Sequence, residues 1–104
     1  MLVELVFEKS CPNVEVAREQ MLRAFQAAKV TPHWQEWEVS NPDAPERVLG
    51  YGSPTILVNG KDVCGERPAD NVDCCRVYAN HEGGYSGVPA LSDVAEALTF
   101  NRNN

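Results

Sequence analysis

Tyr51-Gly52-Ser53-Pro54-Thr55-Ile56-Leu57-Val58-Asn59-Gly60-Lys61-Asp62-Val63 is the stretch whose reading decides the fold. A Gly-Ser-Pro-Thr corner runs straight into Ile56, Leu57 and Val58, all strong β-formers. Asn59-Gly60 then closes the run, and Asn-Gly signals a tight hairpin because both residues tolerate positive φ. Residues 55–58 and 61–64 therefore read as two antiparallel strands. Pro54 stands at the start of the first, where a missing N–H is tolerable. The preceding Gly-Ser corner makes Ser53–Pro54 a candidate cis peptide.

Working outward, Leu2 to Phe7 is apolar except for Glu4, the pattern of a central strand buried on both faces. It should end near Glu8-Lys9-Ser10. Cys11 follows, with Pro12 at the expected first helical position. Val14, Ala17, Met21, Ala24, Phe25 and Ala28 recur at steps of three and four, which predicts an amphipathic helix over 12–29. Glu15 and Lys29 suit its dipole, and Pro32 stops it. Residues 34–39 read as an edge strand guarded by charges. Trp37 is expected inside and Trp34 partly exposed, since i and i+3 cannot share a strand face. Asn41-Pro42-Asp43 is a turn, and 44–49 a short helix with Gly50 as its stop.

From Gly65 to Pro89 the text loses periodicity, giving an expected long loop with a helical turn over 70–78 and a glycine-rich loop at 83–87. Leu91, Val94, Ala95 and Leu98 predict a final helix over about 90–100. The 104 residues make one domain. The element order is β-α-β-α-β-β-α, an α/β (α+β sandwich) fold. A right-handed crossover gives a four-stranded mixed sheet of order 2-1-3-4, with the first and third helices on one face and the second on the other.

A net charge of −6 with no basic stripe argues against nucleic acid and anionic membrane surfaces as partners. No apolar run approaches the ~18 residues of a membrane span. Met1-Leu2-Val3-Glu4 lacks the basic start of a signal peptide, so the expectation is a cytoplasmic protein. Four cysteines are too few for a disulfide scaffold at this size. No Cys-x-x-Cys pair exists, and His33 and His81 do not stand at zinc spacing. Neither a metal site nor a cofactor is expected. Glu36, Glu38, Glu66 and Glu82 are scattered, and Gly83-Gly84 matches no nucleotide fingerprint.

Cys11-Pro12 placed between strand and helix, together with Ser53-Pro54 before the strand Thr55-Ile56-Leu57-Val58, resembles the thioredoxin-like superfamily. Cys-Pro-Asn, Ser-Pro-Thr-Ile-Leu-Val and the later Cys-Arg-Val-Tyr are also similar to a group of small bacterial thioredoxin-like proteins, some associated with organomercurial resistance. The sequence departs from dithiol members at Val14, where they carry a second cysteine. It departs from glutaredoxins too: Ser-Pro replaces Val-Pro, and the Gly-Gly and Asp-Asp features of the glutathione site are absent. The resemblance implies a cis-proline loop facing Cys11, and a substrate site formed by Pro12, Ser53 and Pro54. There the backbone before the proline pairs with an extended substrate by strand addition.

Cys11 is the candidate nucleophile. At a helix N-terminus, unpaired N–H groups and the dipole favour thiolate over thiol, and the strand–Cys–Pro–helix arrangement is expected to leave the sulfur accessible. A small buried hydrophobe at a strand end is the alternative. With Val14 in place of a second thiol, a mixed disulfide on Cys11 needs another thiolate to resolve it. Cys74 and Cys75 are the candidates, and Cys75 is favoured because it shares a helical face with Val72. Val72, Val77 and Tyr78 are the expected anchors of this loop. Arg76 is a candidate for steadying a thiolate or an anionic substrate, with a solvated surface arginine as the alternative; Cys64 reads as core. Two functions follow: a thiol-disulfide oxidoreductase acting on a protein or small-thiol substrate, or thiol-based binding or transfer of a soft metal ion such as mercury. A non-catalytic interaction module is the third.

Overall fold

The computed structural model describes residues 1–65, 76–79 and 83–102. Its organising strand is β1, Val3–Phe7. β1 pairs in parallel with β2, Gln35–Glu38, and antiparallel with β3, Thr55–Val58. Flanked on both sides, it buries Val3 through Val6. β3 turns through Asn59 and Gly60, at φ 51° and 81°, into β4, Lys61–Asp62. Both turn residues thus take the left-handed conformation that the Asn-Gly pair tolerates. The sheet order is β2-β1-β3-β4, as the hydrophobic pattern predicted.

Alternation along the strands separates two apolar layers. Val3 and Leu5 sit opposite Val58 and Ile56, and these four join the larger core. That core is completed by α1, Val14–Ala28, and α2, Leu91–Asn101, so both helices cover one face of the sheet. α1 buries the six residues its periodicity singled out, and α2 buries Val94 and Leu98. On the other face Val6, Leu57 and Val48 pack together. The two tryptophans divide between the layers as their spacing requires. Trp34 stacks on Phe25 of α1 with centroids 5.9 Å apart. Trp37 packs with Val6 and Leu57, and its indole donates to Glu4. Both are half-buried, so Trp34 is partly exposed as expected and Trp37 is less buried than expected.

Several expectations change. α1 begins at Val14, not Pro12, because the chain is still turning there: the Cys11 N–H donates to the Glu8 carbonyl at 3.0 Å, and Asn13 supplies the cap carbonyl that receives the Ala17 N–H. The helix expected at 44–49 is only a 3₁₀ turn, Glu46–Val48, preceded by Pro45 in an extended conformation. So short a segment between Pro45 and Gly50 cannot repay helix nucleation, and it serves to place Val48 in the second core. β4 stops at Asp62 because a turn closes behind it, with the Gly65 N–H donating to the Asp62 carbonyl at 2.9 Å. Cys64 falls in that turn and is exposed, which overturns its reading as core. Residues 65–89 are not loop throughout: β5, Tyr78–Ala79, pairs antiparallel with β6, Tyr85–Ser86. The helical turn expected to reach Tyr78 is therefore replaced at its end by strand, and residues 70–75 lie outside the described residues. Among the described residues, no helix is long and apolar enough to cross a membrane.

Candidate functional site

Cys11 lies between the end of β1 and the start of α1, held by the Glu8–Cys11 turn. Its neighbours make it less open than the strand–Cys–Pro–helix pattern suggested. The residue retains only 9 % of its surface and belongs to the larger core together with Val14 and Val88. The cause is the chain after β6, which folds onto the start of α1. A Cβ built on Gly87 would stand 2.3 Å from the Asn13 amide nitrogen, and the Gln20 amide donates to the Pro89 carbonyl. Residues 87–89 thus run along the first turns of α1. Pro12 is exposed beside Cys11.

The Ser53–Pro54 peptide is cis, as the sequence suggested, and both residues are buried. Ser53 ties this corner to the strand that carries Cys11: its hydroxyl accepts the Glu8 N–H at 2.8 Å. Glu8 in turn accepts from Cys11. Two hydrogen bonds therefore connect the corner to the cysteine turn. The Thr55 hydroxyl donates back to the Gly52 carbonyl at 2.6 Å and closes the corner.

The outer side of the corner is occupied by the protein's own chain. The Arg76 N–H donates to the Ser53 carbonyl at 2.8 Å, and the Tyr78 phenol donates to the Pro54 carbonyl. Arg76 is not a solvated surface residue, because its side chain is only 14 % exposed. It pairs with the buried Asp62 carboxylate at 3.0 Å, donates to the Thr55 hydroxyl at 2.9 Å, and lies 4.2 Å from the centre of the Tyr78 ring. Asp62 comes from β4, opposite Leu57 on β3, so the hairpin places the carboxylate next to the corner it serves. Burial is the largest influence and works against the Arg76 charge, but Asp62, Tyr78 and Cys64 together outweigh it and the guanidinium is held above its ordinary pKa. Burial likewise pushes the Tyr78 phenol above its ordinary value. Both groups keep their protons and act as fixed donors.

The structure thus brings Cys11, Ser53, Pro54 and Arg76 to one end of the sheet. Cys74, Cys75 and Val72 lie outside the described residues. Of the expected loop anchors, Tyr78 is buried, whereas Val77 points outward with 71 % of its surface exposed. The contacts explain the split: Arg76 and Tyr78 both bond to the corner, and Val77 between them is left on the outer side. Thr55, Asp62, Tyr78, Asn13 and Gly87 belong to the surroundings of this site but were not singled out for it. An Arg-x-Tyr alternation in Arg76-Val77-Tyr78 was the available signal. Three residues are too few to register as a strand period. A polar cleft of about 360 Å³ opens between Cys64, Arg76, Tyr78 and Asp93. A larger groove of about 790 Å³ runs along α2 past Val63 and Phe100, and Cys11 lines neither. No family model, curated protein or solved structure matches this chain.

Proposed function

We propose that the protein is a thioredoxin-like thiol-disulfide oxidoreductase with Cys11 as its nucleophile. The observation that carries this reading is the Ser53 hydroxyl bond to the Glu8 N–H, which couples the cis-proline corner to the turn that presents Cys11. A thiol three residues ahead of a 15-residue helix, at the same end of the sheet as the Ser53–Pro54 backbone, is an arrangement suited to an extended disulfide substrate. The Cys11 thiolate attacks one sulfur of a substrate disulfide. The S–S bond breaks, a mixed disulfide forms on Cys11, and the departing sulfur leaves as a thiolate that takes a proton from water. Cys74 or Cys75 then attacks the Cys11 sulfur, releases the reduced substrate and leaves an internal disulfide, which a small-molecule thiol reduces. Where neither loop cysteine reaches, the small thiol attacks the mixed disulfide directly. In either route two molecules of the small thiol are consumed and leave as their disulfide, so two electrons pass from them to the substrate.

Soft-metal binding by Cys11 with a loop thiol is the alternative. Among the described residues no group of three His, Cys, Asp or Glu side chains is placed to hold a metal ion, and no observation favours that reading over disulfide exchange. The test is reduction of a fluorescence-quenched disulfide peptide in the presence of a small thiol. Cys11→Ser should abolish the protein-dependent rate and Cys64→Ser should leave it intact. Turnover that survives in Cys11→Ser would place the chemistry elsewhere.

A further inference from the structure

The β5–β6 hairpin joins two contacts that otherwise look unrelated. On its incoming side, Arg76 and Tyr78 donate to the Ser53 and Pro54 carbonyls. On its outgoing side, Gly87 meets the Asn13 side chain, and Val88 enters the core that contains Cys11. The pairing of Tyr78 with Ser86 and of Ala79 with Tyr85 makes these two sides one unit.

We infer that this hairpin is an internal cap on the Cys11 site, with β5 and the two residues before it holding the backbone edge that an extended disulfide substrate would use. The inference rests on the proposed function for its meaning, since it takes Ser53 as the substrate edge. The Ser53 carbonyl cannot pair with a substrate strand while the Arg76 N–H fills it. The thiol, 9 % exposed, is closed off by the same unit. The latch consists of the guanidinium bonds to Asp62 and Thr55 and the phenol bond to Pro54. All three are directional contacts, so losing one should weaken the closed state without emptying the hydrophobic core.

The experiment measures alkylation of Cys11 by a bulky maleimide in the full chain, followed by peptide mass mapping. Tyr78→Phe deletes the donor to Pro54 and keeps the ring. It should speed Cys11 labelling about five- to tenfold, the change in opening expected from one lost buried hydrogen bond. Arg76→Met should raise it further. Val48→Ala, in the separate core on the other face of the sheet and away from the latch, controls for general destabilisation: compared at urea concentrations that equalise their stability, it should leave Cys11 labelling slower than in Tyr78→Phe. Equal labelling in Tyr78→Phe and the wild type, or equal acceleration by Val48→Ala, would overturn the cap. Peptide-disulfide reduction is read in parallel. Faster labelling with no turnover in any variant would leave the cap standing and remove the oxidoreductase reading. Cys11-dependent turnover with labelling unchanged across the latch variants would do the reverse.

Discussion

Removing Arg47 should destabilise the protein through Glu4, a residue 43 positions away. Glu4 sits in the middle of β1 with none of its side chain exposed. Its two oxygens receive the Arg47 guanidinium at 2.8 and 2.6 Å and the Trp37 indole at 2.7 Å. In Arg47→Met the buried carboxylate keeps one donor of the three. Breaking a buried ion pair by deleting one partner costs about 3–5 kcal/mol. The Arg47 side chain is 49 % exposed, so water already screens the pair, and about 2–3 kcal/mol is the appropriate expectation. With a urea slope of about 1 kcal/mol per molar for a chain of this size, the midpoint should fall by about 2–3 M.

The pH dependence supplies a second check. The Arg47 hydrogen bonds hold the Glu4 carboxyl below its ordinary pKa despite burial, and the Trp37 bond assists. Its folded-state pKa is therefore depressed. The stability it contributes is full above the unfolded value of ~4.3 and is lost as pH falls through the folded one. Without Arg47, burial dominates and raises the Glu4 pKa, so acid relieves the strain of the lone carboxylate. The gap between wild type and Arg47→Met should narrow as pH falls from 7 towards 4. A loss below about 0.5 kcal/mol, or a gap that widens with acid, would refute this account of the buried pair. Combining Arg47→Met with Glu4→Gln should recover part of the loss, because the interaction energy is not additive.

Three further outcomes follow from local geometry. Gly87→Ala brings a methyl group only against the terminal amide of the half-buried Asn13 side chain, which can rotate away, so the cost should stay at about 0.5 kcal/mol, and Asn13→Ala should remove it in the double variant, read by urea denaturation. Gly60→Ala meets no neighbouring atom, but it must hold φ at +81°; a loss of about 1 kcal/mol in thermal unfolding is expected from backbone strain alone. In wild-type protein, iodoacetamide should label the exposed Cys64 first and the buried Cys11 about tenfold or more slowly; comparable rates would show that Cys11 is open.

The sheet was legible from local chemistry because its signals act over a few residues. Asn59-Gly60 could close a hairpin whatever lay around it, and the unbroken apolar run of β1 required neighbours on both sides. The α1 face followed from period alone. Cys11 at the strand–helix junction and the cis corner at Ser53–Pro54 were legible for the same reason, since each depends on adjacent residues. Tertiary structure decided what surrounds them. Arg76 read more readily as a solvated cation until β4 brought Asp62 beside it, and Glu4 looked like an interruption in an apolar strand until Trp37 and Arg47 converged on it. Burying a charge is favourable only when partners arrive from elsewhere in the chain. Those partners lie 14 positions from Arg76 in the case of Asp62 and 33 or 43 from Glu4, separations over which no local propensity acts. The exposure of Cys11 was decided in the same way. Its own neighbours in sequence leave the helix start open, and it is Val88 and Gly87, delivered by a hairpin with no strong strand signal, that close it.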